Sequence, residues 1–460
     1  MSSIVFSGER SLRIPSHEKV VYAKMTMTTE WPRVTVIVLN YNGRQHLETC
    51  FRSLYALDYP ADRLELMLAD NASTDGSVEF MRARFPEVTL VRNDHNYGFS
   101  KANNIAAQQA TGEYIAFLNN DMRVDPAWLT ELMRPILREP DVVCAGSRIL
   151  SWDGQRIDFA GAMLNFYGHA WQIGYGSTHL DAYAADRPIL AACGGAMVVN
   201  RAVFLDAGGF DEDYFAYFED TDLGWRLWVL GYQVMLAAQS IVYHVQHGFW
   251  KGEPSDKKLI LYERNALCSI VKNYEEENLQ RILPAALLLF LHRAYLYAIR
   301  EVDPAPYRVE PAGAAPTLHT SPVAAPVYDT RYYLRQAWTT LRQEGPRALA
   351  GRVQAEWGRR RAGPGTWHSG RRWSVRRSPA GSERLHPLAV SHLIAGNDFV
   401  RLVPRMLEKR ARVQAARRRP DAEIFQLFGA PFQANYADAN YEHTQMELAR
   451  LFGITDLFNF

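Results

Sequence analysis

This chain of 460 residues is poor in cysteine, in net charge and in long apolar runs, and each shortage excludes something. Its four cysteines, Cys50, Cys144, Cys193 and Cys268, are scattered, and no two stand at metal-ligand spacing. Reduced, mostly buried thiols of a cytosolic enzyme fit that pattern better than a zinc module or a disulfide scaffold. No stretch reaches the roughly 18–20 apolar residues of a membrane span. The nearest, Ile282 to Leu291, is interrupted by Pro284 and closed by His292-Arg293. It reads either as a helix of a globular domain or as one lying on a bilayer surface. The N-terminal residues lack the apolar core of a secretory signal, and no internal repeat is visible. The formal net charge of +1 hides an asymmetry, because residues 331–420 hold 21 Lys/Arg against 5 Asp/Glu. Such a segment suits an anionic partner, a membrane surface or acidic glycans, or is simply a solvated helical face. Its arginines are not interleaved with aromatics in a nucleic-acid module, so no nucleic acid is expected.

What is present is an alternation of strand and helix. Residues 33–39 are β-branched and apolar, as in a buried parallel strand. Further strands are predicted over 64–69, 88–92 and 114–118, with helices over 46–57, 78–85 and 100–110 between them. This pattern predicts an α/β fold, a parallel sheet flanked by helices, with ligands beyond the carboxyl ends of the strands. Those ends are polar: Asn40, Asp70, Arg92-Asn93 and Asn119-Asn120-Asp121. They converge on one edge and belong to one site. After Asp121 the pattern is mixed, with a helix over 127–137, strands over 142–145, 163–166 and 191–199, a helix over 218–230 and a last strand over 233–237. The chain divides into an N-terminal extension (1–32, partly disordered), a catalytic domain (33–275), a helical segment (276–302), a Pro/Ala-rich linker or insertion (303–330) and a basic helical C-terminal region (331–460). Within the last, 358–384 reads as mobile and Leu385 to Arg419 as a helix pair.

Several constellations carry chemistry. Asp121, straight after a buried strand, either holds a divalent cation on diphosphate oxygens or merely forms a turn. Glu219, Asp220 and Asp222 crowd a helix start. Capping by the helix dipole accounts for one or two of them; a general base for an alcohol needs one. His244 and His247 follow the last strand and are either structural or able to complete a metal site with Asp121. Asp70 can accept from a base N–H or a ribose hydroxyl, while Asp75 reads as a helix cap. Asn96, Gly98 and Asn103 form a loop that can line a diphosphate, although turn formation alone accounts for Asn96 and Gly98.

Taken together, VTVIVLNYNG (34–43), LADNASTDGS (68–77), RNDHNYGFSKANN (92–104), GEYIAFLNNDM (112–122), CGGAMVVNR (193–201), GGFDEDYFAYFEDTDLGWRLWVLGY (208–232) and VYHVQHG (242–248) resemble the family-2 glycosyltransferases of GT-A fold, closest to bacterial rhamnosyltransferase-like polysaccharide-assembly enzymes. The resemblance implies a mixed, mostly parallel central sheet flanked by helices. It implies inverting transfer of a sugar from a dTDP- or UDP-linked donor to a hydroxyl of a glycan or lipid-linked saccharide. Asn40, with Asn42 beside it, and Asp70 would hold the nucleoside. Asn119, Asn120 and Asp121 stand at the D-x-D metal motif, with Asp121 the retained acid and His244 a further ligand of Mg²⁺ or Mn²⁺. Asp220 sits where the base is expected, with Asp222 in reserve and Glu219 beside it; Gly194, Gly195 and Asp211 would shape the acceptor side. Asn119 departs from the motif's first acid, and Lys101-Ala102 stands where relatives carry glycines. The expected setting is cytoplasmic, with Arg-rich residues 401–419 making a peripheral contact with the anionic inner face of the cytoplasmic membrane. The alternative is a non-catalytic glycan- or nucleotide-binding protein on a degenerate transferase fold.

Overall fold

The computed structural model describes residues 31–245, 255–299 and 385–458. The predicted alternation forms: β1 (Val34–Asn40), α1 (Arg44–Tyr55), β2 (Leu64–Asp70), α2 (Ser77–Arg84), β3 (Thr89–Arg92), α3 (Gly98–Gln109) and β4 (Tyr114–Asn119). Strands β3, β2, β1 and β4 pair in parallel in that order. Every residue of β1 is buried, because both faces of the sheet are covered. Val34, Val36 and Val38 belong to a core with α1 and helix α4 (Trp128–Arg138), while Ile37 and Leu39 belong to one that includes α3 and extends to the C-terminal elements. Odd and even residues thus serve two cores, as a pleat of period two requires.

The second half adds β5 (Met122–Val124), β6 (Val142–Ser151), β7 (Ile157–Phe159), β8 (Ala162–Leu164), β9 (Ala170–Gln172), β10 (Arg187–Pro188), β11 (Ala196–Asn200), α5 (Arg201–Asp206), α6 (Glu219–Val229) and β12 (Gln233–His244). The sheet runs β10-β12-β6-β11-β4-β1-β2-β3, with β5 on β12 and β7 on β6. Along this path β11 is antiparallel to both neighbours, β12 is parallel to β6 and β10 is antiparallel to β12. The mixed, mostly parallel sheet flanked by helices is therefore present.

Strand β6 runs past the predicted 142–145 to Ser151, β8 spans 162–164 rather than 163–166, and three further elements differ from expectation. The strand predicted over 191–199 begins only at Ala196. Gly194 and Gly195 approach their neighbours too closely for a regular strand: a Cβ on Gly195 would lie 2.5 Å from the Asn119 side chain. The last strand continues past Ala237 to His244, because its register on β6 shifts between Ala237 and Ile241. That bulge takes up Gln239-Ser240, a polar pair that reads as a strand end. The helix pair over 385–419 is one helix with Pro404 inside it; packing on neighbouring helices outweighs the lost backbone bond.

The C-terminal helices are α7 (Ser255–Asn273), α8 (Glu276–Ala298), α9 (Pro387–Ala415), α10 (Asp421–Ile424) and α11 (Ala439–Leu451). One apolar core runs from Ile37 in the sheet through Ile270 and Leu289 to Phe399, Phe428 and Phe458. The tail arginines serve this junction. Arg410 donates to the Val271 carbonyl, Arg417 to the Asn273 carbonyl and to Asp421, and Arg419 to the carbonyls of Gly231 and Tyr232. The carbonyls of Val271 and Asn273 are orphans at the end of α7, and those of Gly231 and Tyr232 lie in the turn after α6. The Arg417 side chain is only 11% exposed and that of Arg419 18%. The expectation that residues 401–419 present their arginines to a membrane is corrected for Arg410, Arg417 and Arg419, which are held internally. The chain leaves α8 and enters α9 at neighbouring points, with Tyr297 stacked on His386 at 6.2 Å and Phe290 against Gly396. The expected linker 303–330 and mobile stretch 358–384 lie outside the described residues. Among the described residues no helix is long and apolar enough to cross a membrane.

Candidate active site

The carboxyl ends of β1 to β4 carry the first part of the site. Asn40 is buried; its amide donates to Asp70 at 3.2 Å and to Ser73 at 3.0 Å, and its oxygen accepts from Asn120 at 2.7 Å. Asp70 accepts from the Ser73 amide at 3.1 Å, and Asn42 (φ 51°) accepts from the Thr74 amide at 2.8 Å. Asn40, Asn42, Asp70 and Asn120 thus form one connected group, joining the ends of β1, β2 and β4. Asp75 accepts from the first amides of both α1 and α2, Arg44 and Ser77. Asn71, which sequence reasoning passed over, organises the next loop: it donates to Asn96 and to the Gly98 carbonyl and accepts from Tyr97. Asn103 is buried and bonds back to the Phe99 carbonyl within α3. Lys101 lies 4.3 Å over the Tyr97 ring.

The second part lies where β4 meets β11. The Asn119 amide donates to the Gly195 carbonyl at 2.9 Å, and the Gly194 amide donates to Asp220 at 2.9 Å. A short chain of contacts therefore links the end of β4 to the start of α6. Gly194 allows the approach, because a Cβ there would lie 3.2 Å from the Asp220 Cβ. The other Asp220 oxygen accepts from the Thr221 amide at 2.7 Å. Burial raises the Asp220 pKa, although the Gly194 and Thr221 amides oppose it. Glu219 is buried with Oε2 unpartnered; burial, then the neighbouring Asp220 charge, pushes its carboxyl well above the usual range. Asp222 points elsewhere. It is fully buried, 2.8 Å from Arg226 and 2.9 Å from Lys272, and these cations overcome the burial penalty and lower its pKa. Lys272 also pairs with Asp211, which Lys409 of α9 holds from the other side.

The third part is a carboxylate–imidazole–carboxylate row. Met122 of β5 pairs with His244 of β12, which sets Asp121 beside the imidazole. His244 Nε2 lies 3.4 Å from Asp121, and its Nδ1 2.7 Å from Asp158 of β7, a residue sequence reasoning missed. Burial disfavours charged His244, but Asp121 and Asp158 outweigh it and raise its pKa to about 9. Burial likewise acts to raise the Asp121 pKa, and it is outweighed by His244 and, after it, by the charge of His46, so the net shift is downward. Two buried acids thus flank one imidazole and favour its charged form. Among the described residues no group of three or more His, Cys, Asp or Glu is disposed to enclose a metal ion. The donor set still fits a hard divalent ion, with Asp121 and His244 Nε2 as a half-shell and Asp158 on Nδ1 orienting the ring. His247 lies outside the described residues.

A family model described as glycosyl transferase family 2 matches residues 35–206. Those residues are a family-2 glycosyltransferase domain. Over 222 residues the chain is 34% identical to the O-antigen biosynthesis protein RfbC of Myxococcus xanthus, covering 46% of this chain and 17% of that relative. Over 238 residues it is 29% identical to the N-acetylglucosaminyl-diphospho-decaprenol L-rhamnosyltransferase of Mycobacterium tuberculosis, covering 46% of this chain and 76% of that one. The chain thus spans under a fifth of the first of these relatives and about three quarters of the second. A structure of GalNAc-T7 with UDP, GalNAc and Mn²⁺ aligns with a TM-score of 0.44 and 18% identity, over 58% of this chain and 50% of that one. The domain's matched residues include Asp70 and Asp121; Asp220 and His244 lie beyond them.

Proposed function

We propose that this chain is an inverting glycosyltransferase that moves a hexosyl or deoxyhexosyl group from a dTDP- or UDP-sugar to a hydroxyl of a lipid-linked saccharide. The observation that carries this reading is the Gly194–Asp220 hydrogen bond, which fixes a half-buried carboxylate next to the end of β4. Asp220 is the base. Asp222 is neutralised by Arg226 and Lys272 in the core, and Glu219 is buried with Oε2 unpartnered, where burial and the neighbouring Asp220 charge disfavour its carboxylate. Asp220 takes the acceptor hydroxyl proton as the oxygen attacks the anomeric carbon from the face opposite the departing diphosphate. Asp70 accepts from the nucleoside, and the Asn71–Asn96–Gly98 loop lies along the diphosphate. Asp121 and His244 would hold a Mg²⁺ or Mn²⁺ ion, with Mn²⁺ the first to try, and when bound it supplies positive charge to the leaving diphosphate. A non-catalytic role is disfavoured by the buried, unpartnered Glu219 beside the half-buried Asp220, a costly pairing of acids that binding alone does not require.

The test is Asp220→Asn in a turnover assay over UDP-, dTDP- and GDP-sugars with Mn²⁺. Donor binding should persist while kcat falls by about 10²-fold or more. The wild-type base acts only when ionised, and burial raises its pKa. Its kcat should therefore climb with pH through a limb above 3.8, the ordinary Asp value, and this limb should vanish in the variant. Near-normal turnover of Asp220→Asn would eliminate the assignment.

A further inference from the structure

The chain enters α6 through a turn of rare backbone. Phe215 has φ 65° and ψ −60°, a γ-turn in which the Ala216 amide donates to the Tyr214 carbonyl at 2.8 Å. Tyr217 (φ 69°) and Phe218 (φ 67°) are then both left-handed. Non-glycine residues avoid this region because Cβ crowds the backbone carbonyls. Three of them within four residues, directly before Glu219 and Asp220, require an external hold.

The Phe215 carbonyl accepts from the Phe99 and Ser100 amides of α3, and the carbonyls on either side of it are gathered by one side chain of α7. Asn265 of α7 is fully buried. The two hydrogens of its amide nitrogen are shared among the carbonyls of Tyr214 at 3.1 Å, Ala216 at 3.0 Å and Tyr217 at 2.8 Å. Its oxygen accepts from Arg264 Nε at 2.9 Å, which fixes the amide's orientation. Arg264 adds bonds to the carbonyls of Asp213 at 3.0 Å and Tyr214 at 2.9 Å. The carbonyls of Tyr214, Ala216 and Tyr217 thus converge on Asn265, with Arg264 beside it. We propose that Asn265 is the positioning residue for Asp220, locking turn 214–218 in the conformation that delivers the carboxylate to the Gly194 amide. This rests on Asp220 being the base. Aspartate at 265 has the same shape but no donor, so it cannot substitute.

The experiment uses the full chain and whichever of UDP-, dTDP- or GDP-sugar the screen selects. Asn265→Ala and Asn265→Asp should lower kcat for release of the nucleoside diphosphate by about tenfold or more, with affinity for that diphosphate and Mn²⁺ unchanged. The Gly194 amide should exchange faster with deuterium. Adding Tyr217→Gly, which accepts positive φ without crowding, should recover part of the rate lost in Asn265→Ala. Unchanged kcat per folded molecule with unchanged Gly194 exchange ends the proposal, even if the melting temperature drops. Should Asn265→Ala fail to fold, Asn265→Ser is read by the same two measurements. Asp220→Asn run in parallel separates the ideas. Normal turnover there removes the base assignment and the positioning role with it. A dead Asp220→Asn beside a normal Asn265→Ala removes the positioning role alone.

Discussion

At the scale of single residues, function here depends on which partner each charge meets. Asp220 and Asp222 are two positions apart on one helix, so they face nearly opposite sides of it. Sequence spacing could not say which faces the site; the buried cations Arg226 and Lys272 decide it. Asp121 and His244 were legible as polar residues at strand ends. Asp158 was not, because a lone acid inside the three-residue strand β7 carries no pattern. It nevertheless lies 2.7 Å from His244 Nδ1 and orients the ring. Asp158→Ala should weaken Mn²⁺ binding about 10- to 100-fold in calorimetry with nucleoside diphosphate present, the usual cost of removing a ligand's orienting carboxylate. Unaltered affinity would show that His244 does not need it.

At the scale of elements, the four-fold strand and helix alternation was readable because its periodicities are clean and its strands are buried on both faces. The irregular pieces were not. Gly194-Gly195 extended the apparent strand, and Ser240 shortened one, because its hydroxyl finds buried partners in Ser147 and the Trp128 carbonyl. Asn265 stayed hidden for a similar reason: an amide in the middle of a long helix reads only as a weak helix former. The start of α3 offers a test. Gly98 (φ +78°) lies where a Cβ would meet the Phe215 carbonyl at 2.5 Å, whereas Gly176 (φ +77°) has nothing within 4 Å. Both alanine variants bear the same backbone strain, of about 1 kcal/mol or more. Only Gly98→Ala adds a clash, so its melting temperature should fall further and its nucleotide affinity should drop. Equal losses for the two would refute the packing argument.

At the scale of the whole molecule, the sheet and the C-terminal helices share one core, and a buried ionic cluster joins them. Arg293 of α8 pairs with Glu263 of α7 and donates to Tyr441 of α11, while His392 of α9 lies 3.2 Å from Glu263. Arg293 counteracts the burial of Glu263 and holds its pKa well below the usual value. Arg293→Met would strand that carboxylate, which should cost about 3–5 kcal/mol in denaturant melts. A Glu263→Gln/Arg293→Met pair should recover much of it, and no recovery would mean that packing, not charge, sets the loss.

The stacking of Tyr297 on His386 has a separate consequence. The polypeptide departs and returns through a single doorway, so everything between residues 299 and 385 is a detour that begins and ends at the same spot. Each doubling of such a detour adds only about 0.6 kcal/mol of closure entropy. A change of length in that interval therefore meets two ends already fixed side by side by the packing of α8 and α9.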